Sequence, residues 1–238
     1  MADIVLVHGA WGGSSGFRNV RPLLQQAGHN VFTPSLTGIG ERSHLTGPHV
    51  DLNLHIKDVT NAIYYEDLDD FVLLGFSYGG MVVTGALDTI GHKVRHLVYL
   101  DAIVPGDGQS AATLMGPFAD AIVASAVEGL IPPVPRELDT PEATAWMNER
   151  RSMQPVSTFT TPITLSTPLE EAPFSRTYIK ATADPNEKPE SAFWRAAHHA
   201  KASPKWNYHE IATNHMIPQM RPRELADILL LLAAAGSA

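Results

Sequence analysis

Residues 71–90 read FVLLGFSYGGMVVTGALDTI and decide the fold of this 238-residue chain. The first six residues form a continuous apolar run, which is typical of a parallel strand buried on both faces. The turn Gly75-Phe76-Ser77-Tyr78-Gly79 fits the pattern G-x-S-x-G and leads into an apolar helix over residues 81–90. This strand–turn–helix setting exposes the serine hydroxyl beside helix N–H groups that favour a developing oxyanion. Ser77 is therefore the predicted nucleophile, and a serine that only caps the helix is the alternative.

The alternation of strands and helices continues on both sides of this stretch. Further strands are predicted at Ile4–Val7, Asn30–Thr33, Val94–Leu100, Thr177–Ala181 and Trp206–Ile211. Strands separated by helices indicate βαβ units, and hence an α/β fold with a mostly parallel sheet and helices on both faces. The pattern is interrupted by a proline-rich region of short helical pieces without a convincing buried strand. We expect an α/β core at residues 1–104 and 173–238 and a small helical cap at residues 105–172.

Four other helices are predicted in the core. The first covers Phe17–Ala27 and ends near Gly28, the second is capped by Asn53, the third runs through Phe193-Trp194, and the last carries an apolar face over Leu225–Leu232.

Composition excludes several classes of function. The chain has 17 Lys and Arg against 25 Asp and Glu, a net charge of −8, which argues against nucleic acid or an anionic membrane as partner. There are no cysteines, so disulfides, thiolate catalysis and Cys-ligated zinc are excluded. No apolar run approaches the ~20 residues of a membrane span, and the first strand begins at once without a signal segment. A cytoplasmic location is the expectation.

A serine nucleophile needs a base, which in this fold class follows the nucleophile and the acid in the chain. His215 stands in the loop after the last predicted strand and before the final helix, where a base can reach Ser77. His209 lies inside that strand and is expected to face outward as an ordinary sheet residue. His198 and His199 lie at a polar helix end, where solvation is expected. His215 is the predicted base.

Two aspartates are candidates for the acid that orients the base. Asp184 follows the strand Thr177–Ala181 and precedes Pro185, and Asp101 ends the strand Val94–Leu100. Asp184 is preferred because its strand directly precedes the histidine strand. Asp101 is kept in reserve, with a role in anchoring the start of the insertion as its more favoured explanation. Asp184 could equally be a simple turn residue.

The loop His8-Gly9-Ala10-Trp11-Gly12-Gly13 follows the first strand and can bring a backbone N–H beside the serine. The predicted oxyanion hole consists of the N–H groups of Ala10 and Tyr78. His8 is expected to hold this loop rather than to take part in chemistry.

Large apolar side chains near the site and in the insertion predict an apolar, neutral pocket. The predicted substrate-binding residues are Trp11, Phe118, Trp146 and Met216, and Tyr78, Met147 and Met153 are further candidates. The alternative is that Trp11 and the insertion residues only pack the cap onto the core.

Several motifs together resemble one family of enzymes. The segments Val7–Trp11, Ala27–Val31, Gly75–Met81 and Asn214–Met216 are similar to the methyl esterase and hydroxynitrile lyase group of α/β-hydrolases, over nearly the whole chain. The segment Leu36–Leu45 resembles its bacterial pyrethroid-hydrolase-type esterase branch. The resemblance implies a cap over the active site and a catalytic triad that matches Ser77, Asp184 and His215.

The lyases of that group carry two residues that this chain lacks. They have a threonine in the oxyanion loop where this chain has Gly9, and a lysine after the catalytic histidine where this chain has Met216. Methionine offers no charge to stabilise departing cyanide. Both differences favour an esterase that forms an acyl-enzyme with carboxylic esters of small to medium apolar substrates.

Other classes of function fit less well. The glycine loop lacks the spacing G-x-G-x-x-G, the second strand lacks a ribose-binding acid, and H-E-x-x-H and Gly-Lys-Ser/Thr are absent. We therefore expect no cofactor and no metal. A hydroxynitrile lyase and a non-catalytic small-molecule binding protein on the same fold remain the alternatives. The expected partner is a small-molecule ester; the identity of the ester (or a related amide or carbamate) and a homodimer through an exposed cap are left open.

Overall fold

The computed structural model describes residues 1–235, and its centre is a six-stranded parallel sheet. In chain order the strands of the protein are β1 (Asp3–Val7), β2 (Asn30–Phe32), β3 (Phe71–Phe76), β4 (Val94–Leu100), β5 (Leu130–Ile131), β6 (Gln154–Pro155), β7 (Ser175–Ala181) and β8 (Asn207–Ile211). The six strands of the sheet lie in the order β2-β1-β3-β4-β7-β8. The predicted α/β architecture with a parallel sheet is confirmed. The five other core strands predicted from the sequence are all present in this sheet.

Helices cover both faces of the sheet. They are α1 (Arg21–Gln26), α2 (Leu52–Tyr65), α3 (Gly79–Ile90), α4 (Ala111–Met115), α5 (Pro117–Ala124), α6 (Pro141–Asn148), α7 (Val156–Thr160), α8 (Ala192–Ala202), α9 (Ile217–Met220) and α10 (Pro222–Ala234). One apolar cluster joins the sheet to α2, α3 and α8, and a second joins its other face to α1 and α10. Within residues 1–235, no helix has the length and apolar character that crossing a membrane requires.

Two helix predictions are corrected in detail. The expected helix Phe17–Ala27 is a short 3₁₀ helix ending at Phe17, followed by the separate helix α1. Pro22 lies in the first turn of α1, where its missing N–H costs no hydrogen bond, and this explains why the helix starts there. The cap of α2 is Asp51 rather than Asn53, because the Asp51 carboxylate accepts a hydrogen bond from the Leu54 N–H at 2.9 Å.

The segment between β4 and β7 holds the four short helices α4 to α7 and the antiparallel pair β5 and β6. These two-residue strands lie outside the main sheet and were not expected from the sequence. Phe159 on α7 stacks on Tyr78 with ring centroids 5.6 Å apart, so this segment packs directly over the turn that carries Ser77. The boundaries of a cap at residues 105 and 172 stay a prediction.

The turn after β3 is tight because the backbone at the start of α3 packs directly against the backbone at the end of β1. Ser77 has φ of 57°, in the left-handed region that non-glycine residues rarely adopt. Its N–H donates to the Leu100 carbonyl and its carbonyl accepts from the Gly80 N–H, both at 3.1 Å. A Cβ atom on Gly79 would lie 2.7 Å from the Val7 carbonyl oxygen and 2.8 Å from that of His8. Only glycine therefore lets α3 begin against the end of β1.

We predict that Gly79→Ala lowers the free energy of unfolding by ~1–3 kcal/mol, the usual cost of forcing extra atoms into a packed interior. The contacted atoms are backbone carbonyls, which cannot rotate away as a side chain can. Urea denaturation followed by circular dichroism measures the change. Gly106→Ala is the matched control, because its added Cβ would meet only the Gln109 side chain, at 3.5 Å. Equal stability of the two variants would contradict the prediction.

Candidate active site

Ser77 follows the carboxyl end of β3, one of the two central strands of the sheet. Its backbone is fixed by three hydrogen bonds, since its carbonyl also accepts from the Ile103 N–H at 3.2 Å. The side chain is half-buried and lines a cavity of about 890 Å³. The hydroxyl is thus held on a strained turn and faces the cavity.

His215 lies in the loop between β8 and α9, and its Nε2 atom is 2.9 Å from the Ser77 Oγ atom. The ring is held between Phe76 and Phe193, each with a centroid distance of 5.0 Å. These aromatic neighbours restrict rotation of the imidazole. Of the other histidines weighed as bases, His198 and His199 are exposed on α8 and His209 is half-buried on β8.

The carboxylate that contacts the imidazole belongs to Asp101, and the predicted contact with Asp184 is wrong. The Asp101 Oδ2 atom lies 2.6 Å from His215 Nδ1. Because an ionised carboxylate only accepts hydrogen bonds, this contact places the proton on Nδ1 and leaves Nε2 to accept from the Ser77 hydroxyl. The favoured explanation of Asp101 as an anchor of the insertion is corrected by the same contact.

Asp101 is fully buried and ends β4 with φ of 40°. This left-handed conformation turns its side chain out of the sheet toward the histidine loop. Burial alone would raise the pKa of the Asp101 carboxyl, but the hydrogen bond and charge of His215, and then the charge of Lys180, outweigh it and lower that pKa. The carboxylate is therefore ionised at neutral pH.

Asp184 holds the backbone of the histidine loop. Its Oδ2 atom accepts from the His215 backbone N–H at 3.2 Å, and its Oδ1 atom accepts from the Asn186 N–H at 2.9 Å. Arg136 of the insertion lies 3.5 Å from the same carboxylate. Asp184 therefore links the loop after β7, the histidine loop and the segment above them.

The loop after β1 lies against the serine. A Cβ atom on Gly9 would be 2.9 Å from the Ser77 Cβ atom, so a threonine at this position would displace Ser77. Among residues 1–235, the N–H groups of Ala10 and Tyr78 have no hydrogen-bond acceptor. Both N–H groups are free to bind an oxyanion, and their predicted role stays a prediction.

His8 holds this loop by both ring nitrogens. Its Nδ1 atom contacts the Gly9 carbonyl at 3.0 Å, and its Nε2 atom accepts from the Leu36 N–H at 3.1 Å. Burial lowers the pKa of His8, so the ring is neutral, with its proton on Nδ1. This position matches the structural role expected for His8.

Trp11 connects the same loop to the insertion. Its N–H donates to the Gln154 Oε1 atom at 2.9 Å, its ring N–H donates to the Ile131 carbonyl at 3.2 Å, and its carbonyl accepts from the Ser152 N–H at 2.9 Å. Trp11 has φ of 60°, a strained conformation that these contacts stabilise. Gln154 was missed by sequence reasoning, because no local pattern marks a contact across 143 residues.

The cavity that contains Ser77 is lined by all four predicted substrate-binding residues, Trp11, Phe118, Trp146 and Met216, and by Met147. Tyr78 is instead buried in the core, where its hydroxyl lies 3.0 Å from His55 Nδ1. The expectation of a neutral pocket is corrected by its charged lining. The cationic lining residues are Arg136, Arg150, Arg151, Lys188 and Arg195, and the acidic ones are Asp184, Glu187 and Glu190.

Two charged residues next to Asp101 and the cavity were not assigned by sequence reasoning. Lys180 on β7 contacts Asp101 at 2.7 Å, and Glu187 contacts Lys180 at 2.6 Å. A lysine inside the apolar strand Thr177–Ala181 was the available signal, because a buried ammonium needs an anionic partner. Within residues 1–235, no three His, Asp or Glu side chains are grouped to hold a metal ion.

Residues 4–228 match the model of the alpha/beta hydrolase family. The chain is 39% identical to a carbendazim hydrolyzing esterase of Nocardioides sp. (strain SG-4G), over 98% of this chain and all of that protein. It is 31% identical to a pyrethroid hydrolase of Sphingobium wenxiniae over 49% of this chain and 41% of that protein. An extracellular alpha/beta-hydrolase from a Paenibacillus species superposes with a TM-score of 0.84 at 20% identity, over 98% of this chain and 99% of the other.

The chain belongs to the α/β-hydrolase family. Within that family it is a carboxylesterase, because the relative that matches it over its whole length is an esterase and the pyrethroid hydrolase also fits ester hydrolysis. The predicted resemblance and the predicted esterase class are both confirmed.

We predict that Asp101→Asn lowers kcat for an ester by about 10⁴-fold, the size of effect seen when the acid that orients a catalytic histidine is lost. Asp184→Asn removes a charge of the same size but leaves the imidazole contact intact. Its loss should stay near the ~1 kcal/mol of one hydrogen bond, about tenfold or less. Steady-state hydrolysis of p-nitrophenyl acetate compares the two variants. A larger loss in Asp184→Asn than in Asp101→Asn would contradict this assignment.

Proposed function

We propose that this carboxylesterase cleaves its substrate with Ser77 as nucleophile, His215 as general base and Asp101 as the acid that orients the base. The observation that carries the proposal is the continuous contact from Ser77 Oγ to His215 Nε2 at 2.9 Å and from His215 Nδ1 to Asp101 at 2.6 Å. A nucleophile, a base and an orienting acid in hydrogen-bond reach are the geometric requirement for acyl transfer. The acid differs from the one that the family resemblance implies.

The reaction begins when the Ser77 oxygen attacks the ester carbonyl and His215 Nε2 takes the hydroxyl proton. The imidazolium that forms is stabilised by the buried Asp101 carboxylate. His215 then gives the proton to the departing alcohol, and an acyl-enzyme on Ser77 remains. Water enters, loses a proton to His215 and attacks the acyl carbon, and the proton returns to Ser77 as the acid product leaves.

The oxyanion in both steps is bound by the N–H groups of Ala10 and Tyr78. Two observations support this role: neither N–H is engaged within the described residues, and the loop that carries Ala10 lies against Ser77 through Gly9. The N-terminus of α3 adds its dipole at the same point. One such donor typically contributes ~10²–10³ in kcat.

We further propose that residues 105–172 form a cap and that the substrates are small to medium esters with apolar groups, or related carbamates or amides. The aromatic and sulfur-containing lining residues support apolar substrate groups, and the cavity volume of about 890 Å³ fits molecules of this size. Lys188 in the lining has no ion-pair partner among residues 1–235, so its positive charge would also attract an acidic product. Carbendazim is a suitable test substrate, because a relative that is 39% identical is named for its hydrolysis.

We also propose a cytoplasmic location and a homodimer. The exposed apolar side chain of Val127 supports a dimer through the segment 105–172.

The nucleophile is tested with Ser77→Ala. We expect the burst of nitrophenol from p-nitrophenyl butyrate to disappear and kcat to fall by several orders of magnitude, since no other hydroxyl contacts His215 Nε2 within residues 1–235. A fluorophosphonate should label Ser77 in the native enzyme, as detected by peptide mass spectrometry. Ser43→Ala is the control, because Ser43 is an exposed serine outside the cavity lining.

Full turnover by Ser77→Ala would overturn the proposal. Tight binding of esters without burst or turnover in the native protein would instead favour a non-catalytic binding protein. Esters varied separately in acyl and alcohol size, with carbendazim included, then define the substrate class.

A further inference from the structure

Lys180 is a fully buried lysine directly behind the proposed acid. Its Nζ atom donates three hydrogen bonds: to Asp101 Oδ1 at 2.7 Å, to Glu187 Oε2 at 2.6 Å and to the Ala181 carbonyl at 2.7 Å. The ammonium also lies 4.5 Å from the centroid of the Trp194 ring. All three N–H groups are therefore satisfied, and the residue is held in one position.

The two oxygens of Asp101 have different partners. Oδ1 accepts from Lys180 and from the Ala181 N–H at 3.3 Å, and Oδ2 contacts His215 Nδ1. A carboxylate held at both oxygens cannot rotate, so the direction of its contact with the imidazole is fixed. A buried ion pair of this kind is poor evidence of stabilisation, because desolvation of both ions offsets much of their attraction. A role in orientation and charge balance explains it better.

We propose that Lys180 and Glu187 are positioning residues that hold Asp101 and set the charge against which His215 gains and loses its proton. This inference rests on the proposed function, in which His215 is the base. Neither residue touches the reacting atoms in this role.

The charges of this cluster determine whether each substitution favours or disfavours a protonated His215. Asp101, Lys180 and Glu187 together carry a charge of −1, because two carboxylates face one ammonium. A protonated His215 brings the cluster to zero. Removing the Glu187 charge makes the cluster neutral before His215 is protonated, which disfavours the imidazolium. Removing the Lys180 charge makes the cluster −2, which favours the imidazolium.

The other polar groups that face the cluster do not supply this charge. Burial raises the pKa of Tyr178 well above its ordinary value, and burial also raises the pKa of Tyr208, so both phenols are neutral. Asp184 faces the His215 backbone and is paired with Arg136. Glu187 also accepts a hydrogen bond from the neutral Ser191 hydroxyl at 2.6 Å. Within the described part of the chain, residues 1–235, the ionisable side chains in contact with Asp101 and Lys180 are therefore His215 and Glu187.

The test is the pH dependence of kcat/KM for a neutral nitrophenyl ester in Glu187→Gln, Lys180→Met and the double variant. Activity rises as the base loses its proton, so the acid limb reports protonation of the imidazole. We expect the acid limb to move to lower pH in Glu187→Gln and to higher pH in Lys180→Met, each by roughly half to one unit. The double variant keeps a charge of −1 and should return the limb to its native position.

Glu66→Gln is the matched control for loss of one carboxylate. Glu66 is exposed and ends α2 just before β3 begins, at the edge of the sheet opposite the site. Its acid limb should coincide with that of the native enzyme. If Lys180→Met does not fold, the pH profile of Glu187→Gln alone tests the inference. This variant should fold, because glutamine keeps the size of the side chain and an oxygen that accepts from the Ser191 hydroxyl.

Acid limbs that do not move in Glu187→Gln or Lys180→Met, whether or not thermal stability falls, would overturn the inference and leave a structural role only. That result would leave the proposed function intact if Ser77→Ala and Asp101→Asn remain inactive. Full activity of Asp101→Asn would instead overturn the assignment of the acid.

Discussion

The close approach of Gly79 to the carbonyl oxygens of Val7 and His8 is the constraint on which the site depends. It brings the start of α3 against the end of β1, and so brings the loop after β1 against the turn that carries Ser77. Ser77 and the Tyr78 N–H lie in one turn, whereas the Ala10 N–H comes from the distant loop after β1. They meet only because the backbones of α3 and β1 are in contact. Parallel strands reinforce this arrangement, since their carboxyl ends meet at one edge of the sheet.

The same edge explains how Asp101 reaches the histidine. β4 lies between β3 and β7 in the sheet, so the residue after β4 is next to Ser77 on one side and to the end of β7 on the other. The Asp101 N–H donates to the Ile179 carbonyl at 2.7 Å, which ties the strained residue to β7. Lys180 follows in β7 and supplies the cation that a buried carboxylate requires. Position in the sheet and charge pairing thus favour Asp101 over Asp184.

Much of this arrangement could be predicted from the sequence, and the exceptions have physical causes. The buried strands, the turn at Ser77 and the loop at His215 produce local patterns. The choice between Asp101 and Asp184 does not, because both follow a strand and both end near the histidine loop. The choice depends on a backbone φ of 40° and on a lysine from another strand. The contact of Gln154 with Trp11 joins distant segments and leaves no local pattern.

The hydrogen bonds of Trp11 have a consequence for the evolution of specificity. The loop that offers the Ala10 N–H is held through Trp11 by Gln154, Ile131 and Ser152, all from the segment above the cavity. Variation in this segment therefore alters the position of the proposed oxyanion-binding N–H of Ala10 as well as the shape of the cavity. A chimera that receives the corresponding segment of a relative would change turnover even for an ester too small to touch it. A change of substrate specificity in this enzyme is thus coupled to a change of turnover. Substitutions that preserve the three hydrogen bonds of Trp11 would alter specificity without altering turnover.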